Sequence, residues 1–141
     1  MPMSHIAKIE LVIHSLDDLK EACRKLGFEF VENQKSYKWY GQWVGDTPMP
    51  EGISVEDLGK CDHAIRVPGC EYEIGIVKQN DRYILLWDYY HVGGLSEKIG
   101  PNAGRLKQAY TVARVTKEAR RKGYRVREQK IEQGIRMVLT A

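Results

Sequence analysis

Two cysteines and a histidine stand close together in the sequence and carry the donor atoms of a metal site. They are Cys61, His63 and Cys70, and His91 follows far enough along the chain to fold back as a fourth ligand. Two thiolates and two imidazoles would make the tetrahedral set that structural zinc takes. The spacing matches no zinc finger or zinc ribbon, and small buried thiols with a surface histidine are the commoner arrangement. We therefore expect no metal and no other cofactor, with Cys61, His63 and Cys70 as weak candidates only.

The second predicted helix carries a stripe of basic side chains. On one side of the helix, the helical spacing brings together Lys107, Arg114, Lys117 and Arg121, with Tyr110 at the edge. The positive charge continues onto the next strand through Arg125 and Arg127. Such a ridge can follow a phosphate backbone. Glu118 lies close to the same side, however, the net charge is only +3, and no ribonucleoprotein or helix-turn-helix motif is present. Because a solvated helix face shows the same pattern, nucleic-acid binding is the alternative function.

Large aromatic side chains are concentrated on predicted strands, at Tyr37, Trp39, Trp43, Trp87 and Tyr89. If the helices cover only one side of the sheet, Trp39, Trp43, Trp87 and Tyr89 form a partner-binding surface on the open side, for a protein, a second copy or stacked bases. If the rings point at the helices, they belong to the core. The pattern leaves both alternatives open, and the first favours a binding protein.

Motifs for catalysis do not accompany these residues. Residues 100–104 contain two glycines before a helix but lack the Gly-Lys-Ser/Thr ending of a phosphate loop, although free amides at a helix start can hold an anion. Asp88 and His91 are near each other in sequence without a nucleophile motif. We therefore name no catalytic residues, and the sequence favours a binding protein over an enzyme without deciding between them.

The elements that must position these side chains follow from periodicity and turn residues. A hairpin over residues 72–90, turning at Asn80-Asp81, organises the chain, and its second strand is apolar on both faces, which is typical of a central strand. Ser15 is placed to start a helix and Gly27 to end it. Further strands are predicted over residues 5–13, 28–32, 37–44 and 63–67, a second helix over 105–122, a last hairpin over 124–139, and loops over 45–60 and 93–104.

Two stretches, from Arg24 and from Arg120, share the order helix end, glycine, aromatic residue, strand. Each closes a strand-helix-strand unit. Two such units in one sheet predict an α+β fold, a mostly antiparallel sheet with two helices on one face, in the form of a ferredoxin-like core with an added meander. The residues that ordinarily end a helix and start a strand would produce the same similarity between the two stretches, so this alternative stays open. We expect one α+β domain over residues 1–141, with a loop insertion at about 45–60.

The composition is that of a soluble globular protein. The chain has 141 residues, 43% hydrophobic and 29% charged, which argues against disorder. Apolar runs fall short of the roughly 20 residues that cross a bilayer, and the start lacks the order of a signal peptide. Three unevenly spaced cysteines fit reduced thiols better than a disulfide framework. A cytoplasmic protein without membrane contact is expected.

Short motifs along nearly the whole chain resemble one family, the hypothetical chloroplast reading frame thirty-five family of cyanobacteria, plastids, other bacteria and phages. The motifs are Met3-Ser4-His5, Leu16-Asp17-Asp18-Leu19, Leu26-Gly27-Phe28, Tyr72-Glu73-Ile74-Gly75, Gln108-Ala109-Tyr110 and Gly134-Ile135-Arg136. The loop over residues 45–60 is longer than the family's, and Cys61 and Cys70 lie outside its motifs. Any function of that loop or of those thiols would belong to this protein alone.

The resemblance implies no activity, cofactor or catalytic residue, because none is established for the family. Relatives often lie near genes for AAA-type ATPases and small ferredoxins, which favours an accessory role. We therefore predict a non-catalytic accessory or adaptor protein that binds a protein partner, such as an AAA-type ATPase, or a second copy of itself through the aromatic sheet face.

Overall fold

The computed structural model describes residues 6–41, 43, 49–90, 93–132 and 134–141. Local signals in the chain explain where its elements begin and end. Ser15 accepts a hydrogen bond from the backbone N–H of Asp18 at the start of the first helix, and Gly27 ends that helix at φ 76°, a conformation that costs glycine little. The elements are β1 (Ile6–Ile13), α1 (Leu16–Leu26), β2 (Glu29–Val31), β3 (His63–Arg66), β4 (Glu73–Gln79), β5 (Arg82–Asp88), α2 (Leu95–Ile99), α3 (Gly104–Arg121), β6 (Arg125–Ile131) and β7 (Gly134–Thr140).

Five of these strands form an antiparallel sheet in the order β1-β5-β4-β3-β2. The predicted hairpin lies at its centre, and Asn80 takes φ 59° between paired residues Gln79 and Arg82. Successive residues of β5 are buried on opposite faces, with Leu86 on one and Leu85 on the other. The predicted α+β class and its mostly antiparallel sheet are confirmed.

The helices pack on one face of this sheet. Leu19 of α1 and Leu106 of α3 are fully buried in one cluster with Ile74 and Leu85 of the sheet. Leu95 and Ile99 of α2 are buried in the same cluster. The prediction of a loop over residues 93–104 was therefore wrong, because the four-residue spacing of Leu95 and Ile99 turns two apolar side chains toward the core.

The second face of the sheet is covered by residues 36–61, as far as the structure describes them. Tyr37 and Leu58 are buried there against Ile84 and Leu86. The strand predicted over residues 37–44 is wrong for its described part, since residues 37–41 and 43 belong to no strand. Ser36, just before them, forms an isolated bridge with Lys60. The backbone N–H of Tyr40 instead donates to the Asp88 carboxylate at 3.0 Å. Side-chain acceptors thus take the place of a neighbouring strand.

The last hairpin does not join the main sheet. Strands β6 and β7 pair with each other and form a separate two-stranded sheet, which we call the ribbon. It contacts α3, and Lys25 of α1 lies 2.5 Å from Glu128 of β6. The two strand-helix-strand units therefore do not share one sheet within the described chain. Among the same residues, no helix combines the length and hydropathy that crossing a bilayer requires.

Candidate nucleic-acid interface

Charge is divided unevenly along the chain. Residues 104–141 contain eleven Lys and Arg against three Glu, whereas residues 1–103 contain eleven Lys and Arg against sixteen Asp and Glu. The first segment thus carries a net charge of +8 and the second −5, which together give the total of +3. Sequence reasoning considered the net charge of the whole chain and the basic stripe of the second predicted helix, and so it missed this asymmetry. A net charge computed for each half of the chain would have found it.

The ribbon separates its charges between its two faces. In the register of β6 and β7, Arg127 pairs with Val138, and Gln129 with Arg136. Directly paired residues share a face, as do residues two apart on one strand. One face, which we call the arginine face, therefore consists of Arg125, Arg127, Gln129, Ile131, Gly134, Arg136, Val138 and Thr140. It has no carboxylate.

The arginine face points away from the helices except at Gly134, where an added Cβ atom would lie 3.1 Å from the side-chain nitrogen of Gln108 on α3. Glu128 lies on the opposite face of the ribbon, and its carboxylate reaches Lys25 of α1. Leu139, also on that opposite face, lines a groove shared with β1 and α3. Consistent with this orientation, Arg125, Arg127 and Arg136 are all exposed.

The three guanidinium groups of this face have no acidic partner among the residues that the structure describes. Within the described chain, no carboxylate oxygen lies within 4.0 Å of Arg125, Arg127 or Arg136. Their five N–H donors each are fixed in a planar fork that matches phosphate and base-edge acceptors. Because these guanidinium groups form no ion pair within the described chain, they can bind an anion without breaking one.

The predicted helix stripe is only partly assembled. Arg114, Lys117 and Arg121 line one groove of about 1080 Å³ between β1, α3 and the ribbon. Lys107 lies in a smaller recess of about 590 Å³ beside β1, and Arg125 stands on the arginine face. The five predicted basic residues therefore occupy three places.

Acidic side chains neutralise part of that groove. Asp18 lies 3.7 Å from Lys117 and 4.0 Å from Arg114. Glu118 pairs with Arg121 at 2.7 Å, and this hydrogen bond lowers the pKa of the Glu118 carboxyl. Unlike the arginine face, the stripe thus has much of its charge balanced within the protein.

The aromatic residues do not form one surface. Trp87 is 5% exposed and packs toward the helices, whereas Trp39 and Trp43 pack on the other face of the sheet. Tyr89 is 37% exposed with its ring centroid 6.1 Å from that of Trp87. The expectation of one open aromatic face is corrected here, because the described part of residues 36–61 covers the side opposite the helices and the alternation of β5 turns Trp87 toward the helices.

The sulfur and imidazole groups are also kept apart. Cys61 donates to the carbonyl of Gln34 at 3.1 Å and packs on the second face, while Cys70 packs with the helices. His63 accepts a hydrogen bond from the backbone N–H of Asn33 at 2.9 Å through Nδ1. Burial raises the pKa of Cys61 to about 11 and also raises that of Cys70. No group of three His, Cys, Asp or Glu suited to a metal ion occurs among the described residues, which do not include His91.

Comparison of the chain with family models, with curated proteins and with solved structures found no match. The family resemblance drawn from short motifs stays a prediction.

Proposed function

We propose that this chain is a non-catalytic nucleic-acid-binding protein whose binding surface is the arginine face of the ribbon. The observation that carries the proposal is the set of three exposed guanidinium groups, at Arg125, Arg127 and Arg136, on one ribbon face without a carboxylate. Phosphate contacts from such groups supply most of the affinity of non-specific nucleic-acid binding.

The length of the charged face favours a polymer over a small anion. Arg125 and the Gln129–Arg136 pair are four residues apart along β6, which corresponds to roughly 13 Å of strand. A single phosphate group cannot contact guanidinium groups spread over that distance, whereas a nucleic acid repeats its charge along the whole length. The net charge of +8 on residues 104–141 also orients the chain toward a polyanion during encounter.

The test is a titration of labelled DNA and RNA oligonucleotides, followed by fluorescence anisotropy at several salt concentrations. The variant Arg127→Gln with Arg136→Gln removes two cations from the arginine face. We expect weaker binding and a slope of log affinity against log salt that is flatter by about 0.9 for each phosphate that the variant no longer neutralises.

A matched control removes the same charge elsewhere. Lys78 and Arg82 are exposed on β4 and β5, far along the chain from the ribbon. Lys78→Gln with Arg82→Gln is expected to keep the salt slope of the unmodified chain. Binding that does not depend on salt, or an equal loss in this control, contradicts the proposal.

A second candidate function, binding of a protein partner or a second copy, is favoured by the apolar lining of the groove. Val12, Val115, Tyr124 and Leu139 line it and are each between 40% and 44% exposed. Exposed apolar side chains that converge on one groove are typical of protein contact sites. A second copy is the occupant that can be tested with the chain alone.

Light scattering coupled to size exclusion measures this association. If the chain forms a dimer, Val115→Asp is expected to dissociate it and so lower the measured average mass. Val55→Asp is expected to leave that mass unchanged, because Val55 is 53% exposed and is not among the residues that line the groove. A monomer at every concentration, or the same effect from both variants, counts against self-association.

A further inference from the structure

We propose that the ribbon enters the major groove of B-form DNA with its arginine face toward the base edges. This inference rests on the proposed function and specifies the form of nucleic acid that the ribbon fits. A two-stranded β-ribbon is one of the two elements that the major groove of B-DNA, about 12 Å wide, admits. The major groove of A-form RNA is too deep and narrow for side chains to read. The shape of β6–β7 therefore favours a DNA duplex over an RNA duplex.

The middle of the arginine face carries the side chains that read bases. Gln129 and Arg136 are directly paired across the ribbon, so their Cβ atoms are about 5 Å apart. Glutamine recognises the N6 and N7 edge of adenine, and arginine the O6 and N7 edge of guanine, each through two hydrogen bonds. Gln129 and Arg136 thus offer the donors and acceptors for two neighbouring base pairs.

Both side chains are available for this contact. Gln129 and Arg136 are exposed, and within the described residues neither makes a side-chain hydrogen bond or an ion pair inside the protein. Arg125 and Arg127 continue the face toward Tyr124, at the end of the ribbon nearest the last turn of α3. There they can hold the phosphates that border the groove, which fixes the orientation of the ribbon.

The opposite face of the ribbon is not suited to the same role. It carries Glu128, whose charge would repel phosphate, and its Leu139 faces the groove with α3. Lys130 is the only basic residue on that face among the described residues. It provides a control on the same element.

The experiment compares four labelled ligands at one salt concentration: a 20-bp DNA duplex, an RNA duplex of the same sequence, the single DNA strand, and the duplex with 7-deazaguanine in place of guanine. The modified base lacks the N7 acceptor in the major groove and leaves the phosphates unchanged. We expect the DNA duplex to bind best and the modified duplex to bind about tenfold more weakly, because the bidentate pairing between arginine and guanine loses the hydrogen bond to N7.

Two variants of the full chain identify the side chain involved. Arg136→Met removes every hydrogen-bond donor of that side chain, and is expected to abolish the difference between the normal and the modified duplex. Lys130→Gln is expected to preserve that difference. Circular dichroism of both variants reports whether the ribbon is folded.

Each outcome separates the two claims. If no ligand binds, the proposed function and the inference both fail. If all four ligands bind alike, the chain binds nucleic acid but the ribbon does not read the major groove. An equal effect of 7-deazaguanine in the chain and in the Arg136→Met variant also overturns the inference, since another residue then contacts N7.

Discussion

The carboxylate of Asp18 on α1 lies 3.7 Å from Nζ of Lys117 on α3. Asp18 is 7% exposed at the base of the groove, and Arg114 approaches it to 4.0 Å from the same helix. A carboxylate in the first turn of one helix thus holds two cations of another. This contact joins α1 to α3 and withholds positive charge from the groove.

Asp18→Asn is expected to lower the free energy of unfolding by about 1 kcal/mol, because it removes an N-terminal helix charge and two partly exposed ion pairs. It is also expected to strengthen binding of oligonucleotides at low salt, since the net charge of the chain becomes more positive by one unit. Urea unfolding and anisotropy measure the two effects. Asp17→Asn removes the same charge from an exposed neighbour, and an equal loss of stability there would mean that the contacts of Asp18 contribute nothing.

Gly75 lies in β4 directly beneath the ring of Tyr37. A Cβ atom at this position would stand 2.3 Å from Cδ1 of that ring, and Tyr37 is buried against the sheet. Gly75→Ala is therefore expected to lower the free energy of unfolding by about 1–3 kcal/mol through displacement of the ring. Thermal or urea unfolding measures the change.

Gly104→Ala is the matched control for this substitution. Gly104 starts α3 at φ −57°. Apart from its chain neighbours and the backbone of its own helix, no atom lies within 4 Å of a Cβ added there. We expect Gly104→Ala to leave the free energy of unfolding unchanged or to raise it by up to about 1 kcal/mol, because alanine restricts the unfolded chain. If both alanine variants behave alike, the ring of Tyr37 does not rest on Gly75.

The buried thiol of Cys23 is expected to lower the stability of the fold at alkaline pH. Burial raises the pKa of its thiol to about 12, whereas a thiol in the unfolded chain ionises near pH 8.5. Above about pH 9 the unfolded state loses a proton that the folded state retains, so stability falls as the pH rises, by about 1 kcal/mol per pH unit for this group. Burial raises the pKa of Tyr37 to about 12 as well, and Tyr37 adds to the same trend.

Cys23→Ala is expected to flatten the decline of stability between pH 9 and 11. Urea midpoints at each pH measure it, and the slope rather than the absolute stability is compared, because the substitution also leaves a small cavity. Cys70→Ala is expected to change the slope less than Cys23→Ala, since Cys70 is only partly buried. An unchanged slope in Cys23→Ala would show that the thiol ionises equally in the folded and unfolded states.

Trp87 and Tyr89 are neighbours with different burial. Trp87→Ala is expected to lower the free energy of unfolding by about 3–5 kcal/mol, because a large side chain is removed from the cluster between β5 and the helices. Tyr89→Ala is expected to lower the free energy of unfolding by clearly less, since that side chain is 37% exposed. Similar losses in the two variants would contradict the placement of Trp87 in the core. Tryptophan fluorescence of the unmodified chain supplies a second check through a blue-shifted emission.

Local chemistry made several elements predictable. Ser15 and Gly27 bound α1, Asn80-Asp81 turns the central hairpin, and Gly123 follows α3, each at the place the sequence indicates. These signals act within a few residues, through a capping hydrogen bond or a left-handed backbone conformation. They can therefore be found without knowledge of the fold.

The segment after β2 was not predictable in the same way. Tyr37 and Trp39 alternate like a strand, yet the backbone amides of Lys38 and Tyr40 donate to the carboxylates of Glu73 and Asp88. Those acceptors lie 35 and 48 residues away in sequence. The same long-range packing places the described part of residues 36–61 on the second face of the sheet.

For the candidate interface, the sequence alone determined that Arg125 and Arg127 share one face of a strand, because side chains on a strand alternate with a period of two. Only the tertiary structure decided that Arg136 joins them and that this face points outward. The first depends on the pairing of Gln129 with Arg136, and the second on Lys25, which contacts Glu128 from 103 residues earlier. Register and orientation arise from contacts between distant parts of the chain, and periodicity within one strand carries no information about them.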